Sequence, residues 1–194
     1  MEENPLVVVI AGPNGAGKST TATGLLQGAL SVREFVNADT IAQGISVFRP
    51  ESVAMAAGRV MLARLRALAA AHVSFAFETT LASRSFARWL RQLRTQGYKV
   101  HLEFLSLASA DLAVARVATR VREGGHDVPE EVIRRRFTFG LANFFSLYQP
   151  IADSWQVLEN ADLDGPRLIA FKQPGRMIEI RDEAAWQHLI EVAR

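Results

Sequence analysis

The sequence predicts an α/β fold of three layers, with a mainly parallel sheet between helices. Three observations carry that prediction. Residues 12–19 read Gly12-Pro13-Asn14-Gly15-Ala16-Gly17-Lys18-Ser19, a G-x-x-x-x-G-K-[ST] spacing. An unbroken apolar run at 6–11 precedes these glycines and a helical start follows them, so they lie at a strand-to-helix turn. Apolar, β-branched segments then alternate with helical stretches, the pattern of parallel βαβ units.

Strand 6–11 is apolar at every position, as a strand covered on both faces requires. The loop after it is a P-loop. Its glycines let successive N–H groups point inward at phosphate oxygens, and helix 18–30 adds its positive dipole end. Lys18 can reach the β- and γ-phosphates of ATP, and the Ser19 hydroxyl can ligate Mg²⁺. The expected ATP-binding set is therefore Gly12, Pro13, Asn14, Gly15, Ala16, Gly17, Lys18, Ser19 and Thr20. Strand 34–38 follows, then helix 50–71, strand 73–78, helix 83–96, strand 99–106, helices 109–122 and 130–147, and strand 154–158. Segments 167–172 and 176–180 flank the turn signal Gln173-Pro174-Gly175 and read as a hairpin at a sheet edge. Helix 182–193 closes the chain. Without a repeat or a linker, residues 1–194 read as one P-loop domain, with a helical lid at about 116–136. Its ligand is expected at the C-terminal edge of the strands.

Composition narrows the class. A hydrophobic fraction of 49% and a charged fraction of 22% are those of an ordinary globular chain. There is no cysteine, hence no disulfide framework and no thiolate chemistry. A net charge of +2 is too small to argue for a nucleic-acid partner, although 19 of the 22 basic residues are arginine. The opening Met1-Glu2-Glu3-Asn4-Pro5 is acidic and not a signal peptide, and no apolar run reaches the ~20 residues of a membrane span. Cytoplasm is the expected location.

A P-loop alone does not choose an activity. A transporter-type ATPase needs an LSGGQ-like signature and an apolar strand ending in Asp-Glu, and neither occurs; nor does the Asn-Lys-x-Asp motif of a GTPase. A small-molecule kinase needs a carboxylate after the second strand and a mobile basic lid, and both have candidates. Asp39 stands 21 residues after Lys18 and either N-caps the helical start Thr40-Ile41-Ala42-Gln43 or serves as the base for an acceptor hydroxyl. Glu78 closes strand 73–78, where it can bind the acceptor together with Thr79, hold Mg²⁺ through water, or cap the helix near Ser83. Arg116, Arg120 and Arg122 precede a Glu123-Gly124-Gly125-His126 loop, and Arg134, Arg135 and Arg136 follow it. Two arginine-bearing helices joined by a glycine loop read as a lid that brings guanidinium groups to the γ-phosphoryl. Ile133, Phe137, Leu141, Phe144 and Tyr148 form the apolar stripe of helix 130–147. Arg134 and Arg136 flank this stripe, while Arg135 points toward solvent. Phe139, Phe145 and Trp155 read as core with the aromatics of the stripe.

Taken together, GPNGAGKST, Asn37-Ala38-Asp39 with Ile41-Ala42, Phe77-Glu78-Thr79-Thr80-Leu81 and RVATRVREGGHDVP…IRRRF resemble the zeta toxin family, in its short-chain bacterial branch. The resemblance covers residues 6–172. It implies a P-loop kinase similar in fold to shikimate-type kinases, which transfers the γ-phosphoryl of ATP, with Mg²⁺, to a hydroxyl of UDP-N-acetylglucosamine or a similar sugar. It also implies an antitoxin partner over the ATP site. Residue by residue, Lys18 looks like the P-loop lysine, Asp39 like the base, Glu78 like the carboxylate near the acceptor, and Arg120 like the first lid arginine. Where family members carry a second lid arginine before a proline, this chain has His126, so that role goes to His126, Arg134 or Arg136. The expected function is an ATP-dependent small-molecule kinase with Asp39, Lys18 and Arg120 as its catalytic residues. The alternative is a nucleotide-dependent binding module acting through a protein partner.

Overall fold

The computed structural model describes residues 4–28, 30, 32–160 and 165–194. The opening residues Met1, Glu2 and Glu3, and Ala29 of the expected helix 18–30, lie outside the described residues. Seven strands form one sheet in the order β2-β3-β1-β4-β5-β6-β7. They are β1 (Leu6–Ala11), β2 (Glu34–Val36), β3 (Phe75–Thr79), β4 (Lys99–Ser106), β5 (Ser154–Glu159), β6 (Arg167–Lys172) and β7 (Ile178–Ile180). The first five run parallel, and β6 and β7 add an antiparallel hairpin at the edge. This is the three-layer P-loop fold that the glycine loop and the strand–helix alternation predict.

The helices are α1 (Lys18–Gln27), α2 (Ala38–Ile45), α3 (Ala54–Ala70), α4 (Ser85–Thr95), α5 (Ala110–Arg122), α6 (Glu130–Asn143) and α7 (Glu183–Val192). Successive residues of β1 face opposite layers, as strand geometry dictates. Val7, Val9 and Ala11 join α3, α4 and α7 in one core, while Val8 and Ile10 join α1, α5 and α6 in the other. All five are fully buried, which is why β1 carries no polar position. The stripe Ile133, Phe137, Leu141, Phe144 and Tyr148 is buried as its spacing predicts.

Several local expectations are corrected. The segment 38–45 is a complete helix, not only a helical start, because Asn37 caps it. The expected helix 50–71 opens as a 3₁₀ turn, Pro50–Val53, with proline at its first position where the missing N–H has no partner to lose, and α3 begins at Ala54. Helix 130–147 is α-helical only to Asn143 and continues as a π-turn, Phe144–Tyr148, that brings the Tyr148 hydroxyl to the Ser83 carbonyl. Phe139 is exposed, not core, because two residues on from Phe137 it falls about 200° round the helix, on the face opposite the stripe.

The exit of β3 runs through a left-handed residue. Leu81 is fully buried at φ 57°, a left-handed conformation that costs a bulky residue energy. Two contacts hold it there: its N–H donates to Thr79 Oγ1 at 3.1 Å, and its carbonyl accepts Asn143 Nδ2 at 2.8 Å. One helical turn earlier, Gly140 lies against this segment so closely that a Cβ on it would meet the Thr80 carbonyl oxygen at 2.3 Å. Sequence inspection gives no sign of this approach, which sets where β3 releases Glu78. Gly140→Ala is expected to destabilise the protein by about 1–3 kcal/mol, by forcing α6 away from that carbonyl. Gly58→Ala, on α3 with nothing within 4 Å of the new Cβ, is expected to stabilise by about 0.5–1 kcal/mol. Urea unfolding of the two variants checks both signs.

Candidate active site

The glycine loop joins β1 to α1. Gly12 has φ 140°, and a Cβ there would lie 2.1 Å from the Leu105 carbonyl oxygen on β4, so no larger residue fits. Helix α1 starts after Gly17 with neither a side-chain cap nor an acidic residue in its first turn. Its first N–H groups and its dipole are thus left for an anion. From the far end of β5, Asn160 Nδ2 donates to the Ala16 carbonyl at 2.9 Å and holds the loop in place.

Lys18 is 7% exposed. Its ammonium donates to the Pro13 carbonyl at 2.9 Å and lies 3.5 Å from Glu78 Oε1. Burial pulls its pKa below the usual lysine value, and the charges of Glu78 and then Asp39 oppose that shift. Glu78 sits at the C-terminal end of β3, paired in register with Ile10. Its Oε2 accepts Ser19 Oγ at 2.7 Å and Asn37 Nδ2 at 2.7 Å. Those partners show that Glu78 does not cap the helix near Ser83. A serine hydroxyl beside a carboxylate is an all-oxygen donor pair of the kind Mg²⁺ takes when substrate phosphates complete its shell. The residues present therefore fit that ion.

Asp39 is in the first turn of α2 and is not its cap. The cap is Asn37, whose side-chain oxygen accepts the N–H groups of Asp39 and Thr40. The Asp39 carboxylate is left free and 54% exposed, with Oδ2 3.7 Å from His126 Nε2 across the cleft.

The α5–α6 pair places its cations unequally. Arg120 Nη2 donates to the His126 carbonyl at 3.0 Å, while its Nε is buried with no hydrogen-bond partner among the described residues. Arg136 Nη1 reaches Asn14 Oδ1 of the glycine loop at 3.3 Å. Burial depresses its pKa and the Asp39 charge opposes the shift; it remains a cation. Arg134 turns outward instead, between Asp111 and Glu130, each at 2.7 Å. Arg135 is exposed as expected, yet its side chain lines a cleft.

Two cavities meet here. One, of about 250 Å³, lies over the loop and is lined by Asn14, Gly15, Gly17, Lys18, Ser19, Thr20, Asp39, Glu78, Arg116 and Arg120. The other, of about 440 Å³, lies between α2, the 50–54 segment and the α5–α6 loop, and includes Asp39, His126, Asp127, Arg135 and Arg136. Asp39 is the one residue common to the two linings. Thr79 lines neither; its hydroxyl oxygen accepts the Leu81 N–H.

A family model described as an AAA domain matches residues 7–139, more than half of the chain. The chain belongs to this AAA-domain family. An uncharacterized protein of Haemophilus influenzae is 28% identical over 130 residues, 67% of this chain and 91% of that protein. Among solved structures, a chain of the AvrRxo1-ORF1:-ORF2 complex with ATP superposes with a TM-score of 0.75 at 16% identity, covering 97% of this chain and 64% of that one. This chain therefore spans less than two thirds of that neighbour's length. A chain of the PezAT chromosomal toxin–antitoxin system of Streptococcus pneumoniae superposes with a TM-score of 0.68 at 14% identity, covering 99% of this chain and 79% of that one. At such identities these likenesses establish a shared P-loop kinase-like fold.

Sequence reading missed Asn37, Asn160, and the contact between Asn14 and Arg136. An asparagine just before a helical start is a cap signal that could have been read. The others join residues 122 and 144 positions apart, and no local pattern announces such pairs. Arg136→Ala is expected to lower ATP affinity by up to about 10²-fold, the usual cost of one aimed donor. Arg134→Ala is expected to leave that affinity, and the melting temperature, unchanged. Isothermal titration with ATP on each variant checks the contrast.

Proposed function

We propose that the protein is an ATP-dependent small-molecule kinase of zeta-toxin type. The observation that carries this reading is the position of Asp39 in the wall shared by the phosphate-loop cavity and the larger cleft. A donor phosphate in the first and an acceptor hydroxyl in the second would meet beside that carboxylate.

Each side chain then has a task. The N–H groups around Gly15–Lys18 and the start of α1 cradle the phosphates, with Asn160 fixing the loop. The Lys18 ammonium leaves the Pro13 carbonyl for a phosphate oxygen, a short move for a charge whose burial already disfavours it. Ser19, and Glu78 through water, would hold Mg²⁺, which neutralises phosphate charge when bound. Asp39 takes the proton of the acceptor hydroxyl, or orients that hydroxyl for in-line attack. Arg120 and Arg136 approach from α5 and α6, and they stabilise charge on the transferring group while the helices exclude water.

The acceptor lies in the cleft between α2 and the α5–α6 loop. Arg135, Arg136 and His126 suit an acceptor that carries negative charge, and Ala42, Pro50, Ala54 and Val132 give it an apolar wall. A UDP-sugar meets this description and is the acceptor that the family resemblance implies. A protein partner that regulates the site is the companion proposal. It is supported by the fold shared with chains of the AvrRxo1-ORF1:-ORF2 complex and of the PezAT toxin–antitoxin system.

Asp39→Asn separates binding from chemistry. The variant should bind ATP within about 3-fold of wild type and lose about 10²–10⁴-fold in kcat. Transfer by the variant at more than a tenth of the wild-type rate would remove Asp39 from the mechanism.

A further inference from the structure

Asn37 stands between the two halves of the site, and no role assigned so far accounts for all of its contacts. It is 7% exposed. Its Oδ1 accepts the N–H of Asp39 at 2.7 Å and that of Thr40 at 3.3 Å. Its Nδ2 donates to Glu78 Oε2 at 2.7 Å and lies 3.4 Å from Ser19 Oγ. The orientation of the amide follows from chemistry. The start of a helix presents only donors and an ionised carboxylate presents only acceptors, so the oxygen must face α2 and the nitrogen must face Glu78.

Capping alone does not require this residue. Serine, threonine and aspartate cap helices about as well as asparagine. Serine and threonine are too short to span from α2 to the Glu78 carboxylate. Aspartate would set a second carboxylate against it. Of the good caps, asparagine is the one that accepts from the helix and also donates to the acid. The planar amide leaves little freedom between those two contacts. One rigid group thus fixes the backbone N–H of Asp39 relative to the carboxylate and hydroxyl that fit Mg²⁺.

We infer that Asn37 is a positioning residue that couples the phosphate half of the site to the acceptor half. Mg–ATP held by Ser19 and Glu78 would further restrain Glu78 Oε2, which already accepts from Ser19 and Asn37. The amide passes that restraint to the first turn of α2, so that Asp39 is held more firmly when the donor is in place. The inference rests on the kinase reading and adds to it an order of events, with nucleotide first and base alignment second.

Asn37→Ser and Asn37→Asp both keep the cap, so each tests the link to Glu78 without unfolding α2. Amide hydrogen exchange across 38–45, with and without Mg–ATP, is measured alongside transfer kinetics. In wild type, Mg–ATP should slow exchange at the start of α2 several-fold. In Asn37→Ser, nucleotide-free exchange should match wild type, the response to Mg–ATP should vanish, and kcat should fall about 10–100-fold with the KM for ATP within about 3-fold, as for the loss of an outer-shell partner. Asn37→Asp should lose the response to Mg–ATP in the same way, because a carboxylate cannot donate to Glu78. Wild-type kcat and a wild-type exchange response in Asn37→Ser would overturn the coupling. So would a loss of kcat accompanied by faster nucleotide-free exchange, which marks a plain cap. If wild type responds to Mg–ATP in α2 but transfers phosphate to no acceptor, the kinase reading fails and the coupling stands. If wild-type α2 does not respond, the coupling fails whatever the activity.

Discussion

The Lys18 ammonium is a charge held out of water, and the surrounding architecture is arranged to tolerate it. A buried cation survives only with compensation close by. Here Glu78 comes from the end of β3, and the Pro13 carbonyl from the loop itself. Placing these three groups together requires β3 to lie beside β1 in the register that pairs Ile10 with Glu78. It requires the backbone after β3 to turn sharply through Leu81, held by Asn143 from α6. It also requires the glycine loop to pass against Leu105 of β4. The charge cluster and the sheet order are thus one constraint seen at two scales.

Such a cluster is a poor source of stability. Desolvating an ammonium and a carboxylate offsets much of their attraction, and a well-packed apolar pair does as well or better. The arrangement makes sense as preorganisation. Lys18, Ser19 and Glu78 are held where a triphosphate and its metal ion would exchange contacts with them, with little rearrangement at the moment of reaction. The arginines sit on a different support. Arg120 and Arg136 belong to helices joined by a glycine loop: Arg120 lines the phosphate cavity and donates to the His126 carbonyl of that loop, while Arg136 reaches Asn14 of the phosphate loop. The cations thus come from α5 and α6, while the lysine, hydroxyl and carboxylate come from the sheet edge and the loop that β1 leads into.

What was legible in the sequence was what is local. The P-loop spacing announces its strand, its turn and its helix within some twenty residues, and the buried run of β1 follows from having a helix layer on each face. The stripe of α6 follows from its 3.6-residue period. What was hidden depends on partners remote in the chain. The sequence alone leaves Asp39 open between cap and base; an asparagine before the helical start is a readable cap signal, but that the same amide also donates to Glu78 emerges only when α2 is seen against β3. Helical period separates Arg135 from its neighbours but leaves Arg134 and Arg136 equivalent, one on each flank of the stripe. Asp111 and Glu130 draw Arg134 outward while Asn14 draws Arg136 inward; Glu130 is four residues away, but Asp111 and Asn14 are remote in sequence. Thr79 is one residue from Glu78 and faces a different task, since neighbouring strand residues point to opposite sides.

The central claim is that the phosphate held by this loop is passed to a hydroxyl and not to water. The most direct measurement follows the fate of the γ-phosphoryl, by mass spectrometry of a metabolite pool containing UDP-sugars incubated with the protein, Mg²⁺ and γ-¹⁸O-labelled ATP. The account predicts a new labelled phosphate monoester, formed in step with ADP. Consumption of ATP with all of the label in inorganic phosphate would contradict it.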